Sequence, residues 1–206
     1  MTTYEMVFQS LEQFGWAVSD GLAPAGLAPR LYAECRALWE AGRFRPAEVG
    51  RGPHQVRRNA IRGDSIHWLE PGSTGPAGGE FLAWIAGLRA ALNQAFFLGL
   101  NSEEFHFARY PAGAGYTRHV DQHRGGTTRK VSITLYLSPD WPADGGGELR
   151  LYTRESDETP AATVLPLQGR MAMFLSDRVP HDVRPGTQPR WSLTGWLRTD
   201  AVGLPF

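Results

Sequence analysis

Between residues 105 and 197 the chain runs through six short apolar segments: FHFARY (105–110), YTRHVD (116–121), RKVSITLYL (129–137), GELRLY (147–152), RMAMFL (170–175) and RWSLTGWL (190–197), with Gly and Pro concentrated between them. Apolar and polar side chains alternating over so few residues mark strands half buried in a sheet, and turn signals this close together point to a sandwich or small barrel. The jelly roll belongs to that group, and its interior commonly holds a metal or a small ligand. From about Glu104 onward the chain is therefore expected to be mainly β.

The first hundred residues read differently. Tyr4, Val7, Phe8, Leu11 and Phe14 recur at helical spacing, as do Leu31, Cys35, Leu38 and Trp39. A third helix is expected over Phe81–Leu98, apolar on more than one face and so suited to bracing a sheet. Between the second and third helices, Gly50–Gly63 is rich in Gly and Arg and poor in large apolar residues, and it reads as a long loop that is either a lid over a site or simply solvated. No internal repeat, low-complexity tract or interdomain linker interrupts the 206 residues, so one domain is expected: helical support and lid over 1–100, and a catalytic jelly-roll core over 101–198.

Composition excludes several classes. With 21 basic and 21 acidic residues the net charge is zero, which gives no reason to expect a nucleic-acid partner. No stretch approaches the roughly 18 consecutive apolar residues of a membrane span, and the N-terminus lacks a secretory layout, so the cytoplasm is the expected location. The single cysteine, Cys35, rules out an internal disulfide framework and fits the buried stripe of its helix.

Chemistry concentrates in four places: His119 and Asp121 in RHVD, His181 in VPHDV, and Arg190 in PRWSLTGW. Residues two apart on a strand share a face, so His119 and Asp121 can reach one interior point while Val120 turns away. His181 would add a third ligand, giving two imidazoles and a carboxylate with the opposite side open, an arrangement suited to non-haem Fe(II). An HxD pair alone occurs by chance in many chains; the later His and the arginine nine residues beyond it give it weight. An arginine aimed into a barrel needs an anion, because a buried, unpaired guanidinium is costly, and a planar carboxylate matches its fork.

These segments, RYPAGAGYTRHVD, RKVSITLYLSPDW, GGELRLY and FLSDRVPHDVRPGTQPRWSLTGW, preceded by AIRGDSIHWLE, resemble the catalytic domain of the Fe(II)- and 2-oxoglutarate-dependent prolyl hydroxylases. The likeness covers about Ala60 to Leu197 and is strongest to the branch that includes the hypoxia-inducible-factor prolyl hydroxylases and their bacterial relatives. It implies a double-stranded β-helix (jelly roll) braced by N-terminal helices. It further implies His119, Asp121 and His181 as iron ligands, and Arg190 with Tyr136 as the pair that binds the distal carboxylate of 2-oxoglutarate. Tyr110 would stand near the other end of that co-substrate, with Thr194 and Trp196 lining the pocket. The implied reaction consumes 2-oxoglutarate and O2, releases succinate and CO2, hydroxylates a prolyl residue of a protein, and uses ascorbate to keep iron as Fe(II). Elongation factor Tu is the first candidate substrate.

The same resemblance implies an ion pair between Asp64 and Arg129, while the Arg-rich segment around His54–Arg62 matches the family's substrate-covering loop only loosely. Of the other histidines, His106 and His67 read as strand residues of the core or pocket wall, and His123 as part of a Gly-rich turn. Two other readings stand beside the protein hydroxylase. One is a 2-oxoglutarate oxygenase acting on a free amino acid or other small molecule; the other is a metal-binding jelly-roll sensor without catalysis. Arg190 and Tyr136 separate the last from the others, since a metal-binding module has no need of an arginine fork.

Overall fold

The computed structural model describes residues 1–47, 63–70, 72, 74–122 and 128–200. In chain order these form α1 (Thr3–Phe14), β1 (Trp16–Ser19), α2 (Leu27–Glu40), β2 (Arg45–Pro46), β3 (Ser65–Trp68), α3 (Pro76–Phe96), β4 (Ser102–Tyr110), β5 (Tyr116–His119), β6 (Arg129–Tyr136), β7 (Leu149–Leu151), β8 (Ala162–Val164), β9 (Met171–Leu175), β10 (His181–Val183) and β11 (Arg190–Arg198). The strands make two antiparallel sheets, a seven-stranded one ordered β1-β9-β6-β11-β4-β3-β2 and a four-stranded one ordered β5-β10-β7-β8. Mainly antiparallel β with helices on one side is the jelly-roll class that the sequence called for.

Period-two alternation decides which face each residue serves. Along β6, Val131, Ile133 and Leu135 join a core that also takes Phe105 and Phe107 of β4 and Leu193 and Leu197 of β11. Against it pack Val7 and Leu11 of α1, Leu31 and Cys35 of α2, and Phe81, Ile85, Leu88 and Leu92 of α3. The intervening residues Thr134 and Tyr136 of β6, His106 and Tyr110 of β4, and Arg190 and Thr194 of β11 line a pocket on the opposite face. The large sheet thus separates a dry core under the helices from a polar interior facing the small sheet. Cys35 is fully buried in that core, and burial pushes its thiol up, out of the reactive range.

α3 begins at Pro76, five residues before the expected Phe81, and ends at Phe96, two before Leu98. Its early start comes from outside the helix. Gly75 offers no side chain to cap it, and Glu34 of α2 does so instead, accepting from the backbone N–H groups of Gly75, Ala77 and Gly78 at 3.1, 2.9 and 3.2 Å. Arg30 of α2 also pairs with Glu80 of α3. Among the described residues no helix is long and apolar enough to cross a membrane.

β11 is the central strand of the large sheet and passes so close to β4 that one position tolerates no side chain. A Cβ at Gly195 would stand 2.1 Å from the Glu104 carbonyl oxygen and 2.4 Å from Phe105 Cδ1. Gly195→Ala is expected to destabilise the fold by about 3 kcal/mol, the upper end for overpacking a core. A urea midpoint within error of the parent would show that β4 yields freely there.

Candidate functional site

The four-stranded sheet brings the expected ligands together. His119 ends β5 and His181 begins β10, and the two are direct cross-strand partners. Asp121 follows two residues after His119 on the same side, so one ligand atom from each of the three lies within 4.8 Å of the others. The carboxylate Oδ1 of Asp121 is 3.4 Å from His119 Nε2 and 3.7 Å from His181 Nε2.

Neighbouring groups fix which atoms face inward. His119 Nδ1 lies 2.8 Å from the Thr117 carbonyl and His181 Nδ1 3.0 Å from the Val179 carbonyl. Donation to those carbonyls places each ring's hydrogen on Nδ1 and leaves both Nε2 lone pairs facing Asp121. Tyr116 stacks on His119 at 3.7 Å between ring centres, and Phe174 lies 4.5 Å from His181, so neither ring is free to turn. Asp121 Oδ2 accepts from Ser132 Oγ at 2.6 Å, and Ser132 is itself 2.8 Å from Ser176 Oγ.

Three electron pairs converging on one point demand a cation. Burial alone would raise the Asp121 carboxyl, but the imidazoles of His181 and His119 and the Ser132 hydroxyl outweigh it and hold it well below the ordinary range. Burial pushes His181 down to about 4, against the opposing pull of Asp121, so its imidazole is neutral at pH 7. A carboxylate with two imidazoles, open on one side, is a donor set that fits Fe(II).

A pH dependence follows for the metal-free protein. His181 takes up a proton near 6.5 when unfolded and only near 4 when folded, so the unfolded chain binds more protons between those values. The associated stability is complete above about 6.5 and declines as the pH falls toward 4. Urea midpoints of metal-free protein should fall over that window more steeply than those of His181→Gln. Equal slopes would assign the effect elsewhere.

Arg190, at the start of β11, is 4% exposed, and Gly147 offers only a carbonyl oxygen at 3.4 Å. Its guanidinium lies 4.5 Å from the Tyr110 ring centre and 5.7 Å from that of Tyr136, and no carboxylate pairs with it among the described residues. The Tyr136 hydroxyl is buried with no hydrogen-bond partner among the described residues, and burial pushes it up to about 12. A buried cation and a buried hydroxyl, both lacking an acid among the described residues, are the pair of groups that a carboxylate would satisfy. The chemistry of the site thus fits 2-oxoglutarate as well as iron.

All eight expected site residues, His119, Asp121, His181, Arg190, Tyr110, Tyr136, Thr194 and Trp196, line this one pocket, together with His106. The expected Asp64–Arg129 pair is replaced. Arg129 donates to Glu104 at 2.9 Å and lies 3.5 Å over the Trp196 ring, while Asp64 lines the pocket. Arg129 sits where β6 meets a register shift in β11, and Glu104, on β4 across that strand, is the acid within its reach. The lid reading of Gly50–Gly63, apart from Gly63 itself, and the reading of His123 lie outside the described residues.

Sequence reasoning missed Ser132, Ser176 and the buttress behind His181. There Asp182 accepts from Arg150 at 2.7 Å through both oxygens and from the Tyr152 hydroxyl at 2.9 Å. The available signal was the period of β6: Ser132 lies two residues before Thr134 and four before Tyr136, on the same pocket face.

Comparison with known proteins agrees with this geometry. Residues 105–198 match the model of the 2OG-Fe(II) oxygenase superfamily. The chain is 29% identical over 203 residues to the hypoxia-inducible factor prolyl hydroxylase of Caenorhabditis elegans, a match over 93% of this chain but only 28% of that protein's length. Among solved structures, a Pseudomonas putida prolyl-4-hydroxylase is 40% identical with a TM-score of 0.85, over 97% of this chain and all of the other (100%). A Trichoplax adhaerens prolyl hydroxylase, solved with a hypoxia-inducible factor peptide fragment, is 28% identical with a TM-score of 0.80, over 95% of this chain and 89% of the other. With sequence, fold and converging donor set in agreement, the chain belongs to the prolyl hydroxylase family of 2-oxoglutarate- and Fe(II)-dependent oxygenases.

Proposed function

We propose that residues 1–206 form one catalytic domain that hydroxylates a prolyl residue in a protein substrate, consuming 2-oxoglutarate and O2 and releasing succinate and CO2. His119, Asp121 and His181 hold Fe(II) in this reading. Once bound, the iron supplies the redox chemistry that couples decarboxylation of 2-oxoglutarate to insertion of one oxygen atom into a C–H bond. Arg190 and Tyr136 hold the distal carboxylate of the co-substrate and so orient its other end toward the metal ligands. Tyr110, stacked against Arg190, keeps the guanidinium in place, and Thr194 and Trp196 wall the pocket on the β11 side.

One observation carries this reading: the buried guanidinium of Arg190, paired with no acid among the described residues, opens into the same pocket as the His-Asp-His cluster. A metal-binding sensor would have no use for a cation there. That the substrate is a polypeptide is supported by the Trichoplax relative, which was solved with a peptide bound. Elongation factor Tu is the first candidate, ascorbate the reductant that restores Fe(II), and the cytoplasm the location.

The test is succinate formation by metal-stripped protein reloaded with Fe(II) without oxygen, then exposed to O2 with 2-oxoglutarate and either proline-containing peptides or elongation factor Tu. Turnover stimulated by one partner, with one oxygen added to one of its prolines, is the expected result. Bound Fe(II) and bound 2-oxoglutarate without turnover under any of these conditions would favour the sensor instead.

A further inference from the structure

On the face of the four-stranded sheet turned away from the pocket, one side chain touches the chain beside both candidate imidazole ligands. Tyr152 follows β7 and is fully buried. Its backbone N–H donates to the Pro180 carbonyl at 2.9 Å and its hydroxyl donates to Asp182 at 2.9 Å, so it grips the residue before His181 and the residue after it. Its ring lies under Arg118, which directly precedes His119 and whose guanidinium carbon is 3.5 Å from the ring centre. Arg118 also donates to the carbonyls of Glu155 and Asp157, at 2.8 and 2.6 Å, which pins it over the ring. Arg150, the cross-strand partner of Asp182, donates to both of its carboxylate oxygens at 2.7 Å.

Main-chain pairing alone does not hold the two imidazoles in place. His119 is the last residue of β5, and the β5–β10 register shifts between His181 and Val183, so the ladder is irregular beside the ligand pair. Adjacent residues of a strand face opposite ways, so bonds to residues 118, 180 and 182 fix the direction of His119 and His181 without entering the pocket. Packing by itself would not call for these groups. Replacing a buried ion pair by apolar side chains of similar volume is often neutral or stabilising, so the Arg150–Asp182–Tyr152 cluster is not explained by stability. What its directional bonds add is a single orientation of the strand that carries His181.

We propose that Tyr152 is a positioning residue for the metal site: its hydroxyl, acting through Asp182, and its ring, acting through Arg118, set the spacing and tilt of the His181 and His119 imidazoles. The inference rests on the reading of His119, Asp121 and His181 as a metal site, and extends that site to residues on the far side of the sheet. Rings held in advance lose little freedom when the ion arrives, which raises affinity without any new contact to the ion. Hydrogen bonds that orient metal ligands are worth about tenfold to a hundredfold in affinity.

The test titrates the metal-stripped full chain with Mn(II), followed by the EPR signal of the free ion, and with Co(II), whose visible bands report the geometry of its donors. Tyr152→Phe removes the hydroxyl but keeps the ring under Arg118; it should bind Mn(II) about tenfold more weakly and shift or broaden the Co(II) bands. Asp182→Asn should do the same, and the double variant should be no weaker than the weaker single variant, since both act along one path. Val164→Ala, which opens a cavity in β8 at the edge of the same sheet, is the control. It should lower the urea midpoint yet leave Mn(II) affinity within about twofold of the parent and the Co(II) bands unchanged. Parent-like Mn(II) affinity and Co(II) bands in Tyr152→Phe overturn the proposal. So does an equal loss of affinity in Val164→Ala, which would assign the effect to general loosening of the sheet. Mn(II) binding by the parent that Asp121→Asn does not weaken overturns the metal reading itself, and the proposal with it.

Discussion

Arg190→Ala is expected to abolish 2-oxoglutarate turnover at ordinary co-substrate concentrations while Mn(II), as a stand-in for Fe(II), still binds within a factor of about three of the parent. The His-Asp-His cluster lies on β5, β10 and the turn after β5, whereas Arg190 opens β11, so the substitution leaves the three candidate ligands and the backbone carbonyl partners of the two imidazoles in place. What it removes is the sole buried cation in the pocket among the described residues. A bidentate, charge-assisted pair lost from a buried site costs about 4 kcal/mol, or roughly a thousandfold in the apparent affinity for 2-oxoglutarate. Because the pairing is the same before and during reaction, the loss should fall mainly on KM. Lysine at this position restores charge without the fork and should recover only part. Arg190→Met should leave the metal-free, co-substrate-free chain at least as stable as the parent, since it replaces an acid-free buried cation with an apolar chain of similar length. A parent-like KM for 2-oxoglutarate in Arg190→Ala would place the co-substrate elsewhere.

Asp121→Asn should have the opposite signature: co-substrate contacts stay and the metal goes. The carboxylate is the one negative charge in the donor set, and Ser132 holds it at 2.6 Å in the orientation that presents Oδ1 to both imidazoles. Asparagine keeps the shape but supplies a neutral oxygen, and Mn(II) affinity should fall by about a hundredfold or more, measured by titration of the free ion's EPR signal. Metal saturating the parent at about a hundred times its Kd adds about 2.7 kcal/mol of stability, and that increment should vanish from the variant's thermal midpoint. Ser132→Ala, which removes only the donor behind the carboxylate, should lose about tenfold to a hundredfold. An Asp121→Asn protein that still gains stability from Mn(II) would show that the ion sits at other groups.

The sequence revealed the parts of this molecule that a single strand can encode. His119 and Asp121 are two residues apart on one strand, and the alternation of Val131, Ile133 and Leu135 with Ser132, Thr134 and Tyr136 separates core from pocket without any knowledge of the partner strands. Features that depend on a second element were harder to see. Glu34 caps a helix more than forty residues downstream, and nothing around Gly75 announces it. β8 and β10 are three residues each, too short to show a period. The Asp64–Arg129 pairing failed because Glu104, reached across β11, competes for the same guanidinium and also binds Arg198 at 2.7 Å.

The place of β11 in the large sheet has a consequence for how the molecule is made. β11 is the last strand in chain order among the described residues, yet it stands fourth of seven, hydrogen-bonded to β4 on one side and β6 on the other. Before it joins, the chain can build at most two separate halves, β1-β9-β6 and β4-β3-β2, with β6 and β4 as raw edges facing each other across a gap. All three metal-ligand candidates lie outside β11, whereas Arg190 is its first residue. The strand that closes the gap therefore also delivers Arg190, so sealing of the sheet and completion of the proposed carboxylate clamp are one event, and a chain interrupted before it is left with sticky edges and without the guanidinium proposed to hold the co-substrate.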